Sequence, residues 1–427
     1  MNDEYAYAEC DLQTGYTNRL EVMKRIMIIL CMVFCFETLT AQRTVKQLKT
    51  WLVQLQNENI AEIAGQKFAR KSLSQTEAAE AAELLFAHKQ QVFREKYGKQ
   101  WQDKQLSEGK YVMKFDYRVF GEKPAGGRSL YISMHGGGNT SDAVNNKQWS
   151  NQILLYKPEE GVYLAPRSAV NDWNMWFQPH VDTLFDRLIQ LAVAFMDVNP
   201  DRVYLMGYSA GGDGAYRLAP RLADRWAAAA MMAGHPGDAS PLNLRNTCFS
   251  LWMGALDSAY NRNAEAARFG LLMDSLHRAD PKGYFHETHL VPERGHWMNR
   301  QDSVAVPWMA KFRRNALPQK VVWRQDDVPH ESFYWLSVSP DEMEKGKQLV
   351  VEHAGNVFTV IKNDYKTVKI GVNDAMIDFD KPVKVVVNGK TVFNKKLNRT
   401  IENIYSSIEK RNDPSLIFSA FIILPQV

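Results

Sequence analysis

Five residues in the middle of the chain, Gly207-Tyr208-Ser209-Ala210-Gly211, carry the pattern G-x-S-x-G. A serine hydroxyl is a poor nucleophile at neutral pH. It needs a base within hydrogen-bond reach, a group to orient that base, and donors for the oxyanion that forms. The sequence offers candidates for each. His135-Gly136-Gly137-Gly138 closes an earlier apolar run, and such glycines leave backbone N–H groups facing a substrate carbonyl oxygen. Gly137 and Gly138, together with the N–H of Ala210, are therefore candidate oxyanion donors. Asp257 follows the run Leu251-Trp252-Met253-Gly254 and is the preferred orienting acid. Asp238 is its rival after the preceding run, and Asp213 lies too close behind Ser209 to reach across to the base. His296, in Gly295-His296-Trp297, is the candidate base, which completes the order Ser, Asp, His. His286 and His289 lie inside a strand-like run, where a histidine is more often packed or exposed than reactive.

These residues need a frame that brings strand ends together. Short apolar runs alternate with amphipathic stretches from Lys110 to Leu317: Ser129–Met134, Gly161–Pro166, a helix-like Val181–Asp197, Arg202–Met206, Trp226–Met232, Phe249–Met253 and His286–Val291. The alternation predicts an α/β class with a mostly parallel sheet and helices on both faces. Ligands of such sheets bind at the carboxyl ends of the strands, where every candidate above falls. The serine turn, between a strand and a helix, also gains the helix dipole for developing negative charge.

The set HGGG, GYSAGG, Asp257 and Gly295-His296 resembles the α/β-hydrolase superfamily. It is most similar to the secreted esterase branch with polyhydroxybutyrate-depolymerase-like and feruloyl-esterase-like members, with dienelactone-hydrolase-like proteins nearby. The resemblance covers about Lys110 to Leu317. It implies a carboxylic ester hydrolase in which Ser209 attacks, His296 acts as base then acid, and Asp257 holds the imidazole. Tyr208, Trp173, Trp176 and His235 are candidates for the substrate wall, the tryptophans from a loop and His235 from a strand end. A serine peptidase of the same superfamily is the alternative. Those pair the hydrolase domain with an N-terminal propeller, which about seventy helix-like residues cannot build. A non-catalytic surface protein, its C-terminal region docking on glycan, is the reading from another class; it predicts a missing triad member, and none is missing.

Around this centre the sequence predicts three further regions. Residues 1–42 read as a secretory signal peptide with its true start at Met23: a basic Lys24-Arg25, an apolar core Ile26–Phe36 and a small-residue exit near Ala41. The chain is then exported, periplasmic or secreted, with no stable membrane span after cleavage. Of four cysteines only Cys248 would remain, so no intramolecular disulfide is expected. Residues 43–109 are rich in Ala, Glu, Lys and Leu and predict helices, one of them capped at Ser74. Residues 318–427 contain repeated strand-like runs and an Asn388-Gly389 hairpin signal, which predict a β-sandwich-like domain.

Composition narrows the function classes. Of 427 residues, 45% are hydrophobic and 23% charged, as in ordinary globular proteins. A net charge of +4 with no dense Lys/Arg run gives no pull toward nucleic acid. No HExxH or paired Cys/His pattern occurs, so neither metal nor other cofactor is expected. The expected partner is a small-molecule or polymer-linked ester.

Overall fold

A computed structural model describes residues 44–55 and 60–425. The signal peptide read over residues 1–42, with Cys10, Cys31 and Cys35, lies outside the described residues. Residues 44–84 and 398–405 belong to one compact unit, and residues 85–397 and 406–425 to a second. The first holds α1 (44–54), two short 3-10 turns and the start of α2 (Gln75–Gln102). Ser74 caps α2 reciprocally: its Oγ accepts from the Glu77 N–H, and Glu77 Oε2 accepts from the Ser74 N–H at 2.9 Å. That satisfies two backbone donors that the first helical turn leaves open. Among the described residues no helix is long and apolar enough to cross a membrane.

An eight-stranded sheet dominates the second unit. Its strands are β1 (Gln105–Glu108), β2 (Tyr111–Phe120), β3 (Arg128–Met134), β4 (Gly161–Arg167), β5 (Val198–Tyr208), β6 (Ala228–Met232), β7 (Cys248–Gly254) and β8 (His286–Val291). Their spatial order is β1-β2-β4-β3-β5-β6-β7-β8. β2 runs antiparallel to β1 and β4, and every pair from β4 and β3 through β8 is parallel. The sheet thus begins at Gln105, before the start read at Lys110.

Helices cover both faces because both faces are apolar. Leu130, Ile132, Met134, Val203 and Leu205 pack into one core with α4 (Pro179–Met196), α5 (Ala210–Arg221) and α6 (Arg262–Ala279). Their strand neighbours Tyr131, Tyr204 and Met206 pack into another core with α7 (Ala305–Met309). The period-2 alternation of strand side chains is what splits them. α3 (Asp142–Leu155) connects β3 to β4.

Beyond Pro318 two smaller sheets share a third core containing Trp323, Trp335, Phe358, Ile370 and Ile422. One orders β10 (Ser332–Phe333), β11 (Leu336–Val338), β14 (Thr367–Val372) and β17 (Ala420–Pro425). The other orders β16 (Lys390–Lys395), β15 (Val383–Val387), β13 (Val357–Asn363), β12 (Gln348–Ala354) and β9 (Lys320–Arg324). β15 and β16 form the hairpin expected from Asn388-Gly389, with both turn residues at positive φ, 49° and 74°. Two features depart from a plain sandwich: β13 and β15 pair in parallel, and a helix, α8 (Ile401–Arg411), precedes β17.

Candidate active site

The chain reverses sharply between β5 and α5, and Ser209 stands at the reversal with φ 58° and ψ −121°. That backbone is costly for a residue with a side chain, by about 1–3 kcal/mol. It is held by the Ser209 N–H donating to Met232 O at 2.9 Å. The flanking glycines are required by close approach. A Cβ on Gly207 would lie 2.1 Å from Gly211 O, and one on Gly211 would lie 2.2 Å from Met134 O.

Ser209, His296 and Asp257 meet. Ser209 Oγ lies 2.9 Å from His296 Nε2, and His296 Nδ1 lies 2.7 Å from Asp257 Oδ2. Asp257 sits in the loop after β7, almost fully buried, and its N–H donates to Gly254 O at 3.0 Å. His296 sits in the loop after β8, which Tyr208 fastens from below. The Tyr208 hydroxyl donates to His296 O at 2.6 Å and accepts from the Met298 N–H at 3.1 Å. Tyr208 therefore does more than line the cleft: it sets the height of the imidazole.

The glycine loop is held by buried polar side chains. His135 Nδ1 donates to Gly136 O at 2.6 Å, and Nε2 accepts from the Ser168 N–H at 3.2 Å. Burial pushes its pKa down to about 4, so the ring is neutral at pH 7 and both nitrogens are already engaged. Gly138 corrects an expectation. Its N–H donates to Asn145 Oδ1 at 3.0 Å, so it cannot also face an oxyanion. Gly137, at φ +113°, borders the same cavities as Ser209.

The rival acids lie elsewhere. Asp238 is exposed and bonded to Arg217 and Lys345, which hold its carboxyl down to about 2. Asp213 is half-buried and accepts the His235 N–H at 2.6 Å; desolvation pushes its pKa up. His286 Nε2 lies 3.2 Å from Asp274, and His289 stacks on Trp252. Neither histidine reaches Ser209.

Two clefts flank Ser209. The larger, about 500 Å³, is bordered by Gly136, Gln148, Leu154, Tyr208, His296 and Trp297. The smaller, about 360 Å³, is bordered by Trp173, Phe177, Ala210, Asp213, His235 and Pro236. Trp173 and His235 thus line this cleft, Trp173 at 66% exposure. Trp176 does not. It is 1% exposed, donates from Nε1 to His135 O at 2.8 Å and stacks edge-on against Phe185. It is a core residue that anchors the glycine loop from behind.

Sequence reasoning also missed Asn145, Arg217 and Arg262. Arg217 had a signal: it follows Ser209 by eight residues, with Asp213 halfway, and that spacing lines one face of α5. Among the described residues no group of three or more His, Cys, Asp or Glu side chains could hold a metal ion.

Strand order, the antiparallel β2 and a strained serine between β5 and α5 together decide the architecture. The fold is that of an α/β-hydrolase. No protein-family model and no curated protein matches the sequence. Among solved structures this chain is similar to a thermostable esterase, at 15% identity and a TM-score of 0.40, over 49% of this chain and 62% of that one. The match thus spans under two thirds of that esterase's length. A ferulic acid esterase matches at 16% identity and a TM-score of 0.36, over 48% of this chain and 95% of that one. A Bacillus cereus carboxylesterase matches at 16% identity and a TM-score of 0.34, over 47% and 94%. At these levels the fold assignment rests on the chain's own topology and turn.

Proposed function

We propose that the chain is an exported serine hydrolase that cleaves carboxylic esters through an acyl-enzyme. Ser209 is the nucleophile, His296 the base and Asp257 the orienting acid. Gly137 and Ala210 donate to the oxyanion. One observation carries the reading: the unbroken relay from Ser209 Oγ to His296 Nε2 at 2.9 Å and from His296 Nδ1 to Asp257 Oδ2 at 2.7 Å.

The chemistry follows from that relay. His296 Nε2 takes the Ser209 proton as Oγ attacks the ester carbonyl carbon. The oxyanion forms against the Gly137 and Ala210 N–H groups, at the N-terminus of α5, where the helix dipole favours it. Asp257, accepting from Nδ1, keeps the imidazole in the tautomer that leaves Nε2 free as a base and stabilises the imidazolium. Collapse of the intermediate breaks the bond to the alcohol oxygen, which leaves with the proton from Nε2. Water, deprotonated by the same nitrogen, then attacks the acyl-enzyme and releases the acid.

A p-nitrophenyl ester series from acetate to decanoate tests the reaction type. Turnover of at least one member is expected. Ser209→Ala and His296→Ala should each lower kcat by about 10³-fold or more, and His286→Ala should leave it within about twofold. Absence of turnover across the series would sink the reading.

A further inference from the structure

Resting on that reading, the position of His296 orients the ester. The leaving alcohol must take its proton from Nε2, so it lies on the side His296 occupies. His296 borders the larger cleft and not the smaller one. The acyl group therefore enters the smaller cleft.

That cleft is lined by both aromatic rings and cationic groups. Trp173 and Phe177 meet edge to face, with ring centroids 5.5 Å apart. Two guanidinium groups, Arg262 and Arg217, line the same cleft. The Arg262 side chain is only 15% exposed, yet its Nε is buried without a hydrogen-bond partner. Its nearest carboxylate is Asp257 Oδ1, 3.8 Å from Nη1 and beyond hydrogen-bond reach. Arg217 bonds Asp238 through Nη2 and leaves Nη1 buried without a partner. An arginine presents five N–H donors in a fixed fork, and buried donors normally find acceptors. Two guanidinium groups thus border one cavity, and each carries a buried N–H that no protein acceptor takes.

The surrounding carboxyls do not fill it. Asp257 already accepts from His296, and Asp238 is shared between Arg217 and Lys345. Asp213 accepts the His235 N–H at 2.6 Å. The backbone also bends to build this wall. Tyr260 and Asn261 both have positive φ, 55° and 57°, and place the Tyr260 ring 4.8 Å from the Arg262 guanidinium carbon. Consecutive left-handed residues without glycine are strained and cluster where function requires them.

We propose that the smaller cleft binds an acyl group ending in a carboxylate. The preferred substrates are then half-esters of dicarboxylic acids, their free carboxylate paired with the Arg262 guanidinium, with Arg217 lining the same cleft. A carboxylate matches the guanidinium fork in geometry and charge, and the apolar carbons before it match Trp173 and Phe177.

The test compares mono-p-nitrophenyl esters of succinate through sebacate with neutral p-nitrophenyl esters of matched length, on the whole chain. At least one half-ester should exceed its neutral counterpart in kcat/KM by about tenfold or more, and the advantage should shrink as salt rises. Arg262→Gln should reduce that ratio to near one, and Arg262→Lys should keep part of it. No half-ester preference, or a preference that survives Arg262→Gln, overturns the proposal. So does an equal slowing of both ester types, which would mean that Arg262 only steadies Asp257. Neutral esters turned over without a charge preference would leave the hydrolase reading standing and remove this one. No turnover of either type would remove both.

Discussion

His135 braces the glycine loop beside Ser209, and its part is conformational. Its two ring nitrogens tie Gly136 to Ser168, and burial holds it neutral. The cost appears as a pH dependence. Its folded pKa of about 4 lies below the ordinary 6.5, so between those values the unfolded chain binds the extra proton. Stability from this group is therefore complete above pH 6.5 and is lost as pH falls toward 4. Between pH 7 and pH 5 the loss should be about 2 kcal/mol. Urea midpoints at the two pH values check it, and His135→Gln should flatten the slope. At this scale the sequence was most legible for Ser209, Asp257 and His296, because nucleophilic chemistry restricts residue type and chain order together. It was least legible for Trp176 and Gly138. A loop tryptophan looks the same whether it faces a cleft or the core, and which glycine N–H is already bonded depends on Asn145, seven residues on.

At the scale of elements, the turn from β5 to α5 is the most constrained feature. The two strands flanking β5 press on it: Gly211 lies against Met134 O at the end of β3, and Ser209 is tied to Met232 O at the end of β6. Gly211→Ala should therefore destabilise the chain by about 3 kcal/mol or more, since the added Cβ meets backbone that cannot give way. Chemical denaturation reads the change, and a loss under about 1 kcal/mol would contradict the packing described. The central strands were legible as continuous apolar runs because both their faces are covered. β1 was not: in Gln105–Glu108 a single apolar residue, Leu106, is buried, and an edge strand needs no more. α8 carried a signal that strand-like neighbours obscured. Ile401, Ile404, Tyr405 and Ile408 are all buried at helical spacing.

At the scale of the second unit, the eight-stranded sheet and the C-terminal sheets are joined by a buried ion network. Asp413, between α8 and β17, accepts from Arg314 at 2.6 Å and from Arg225 at 3.0 Å. Arg314 also reaches Asp201, and Arg411 pairs with Asp224. The two arginines hold the Asp413 carboxyl well below the usual range despite its burial. Asp413→Ala leaves two buried guanidinium groups undercompensated and should cost about 3–5 kcal/mol in denaturant unfolding. A loss below about 1 kcal/mol would mean that the network is incidental. Nothing in the sequence pointed to it. Its partners lie about a hundred or more residues apart, and an isolated Asp or Arg reads as a solvated surface charge until the fold buries it. Intact-mass analysis after treatment with an alkyl fluorophosphonate tests Ser209 Oγ as the proposed nucleophile. A single adduct is expected on the wild-type chain, mapped to the peptide that carries Ser209, and none on Ser209→Ala. Equal labelling of both chains, or an adduct mapped to another residue, would contradict that assignment.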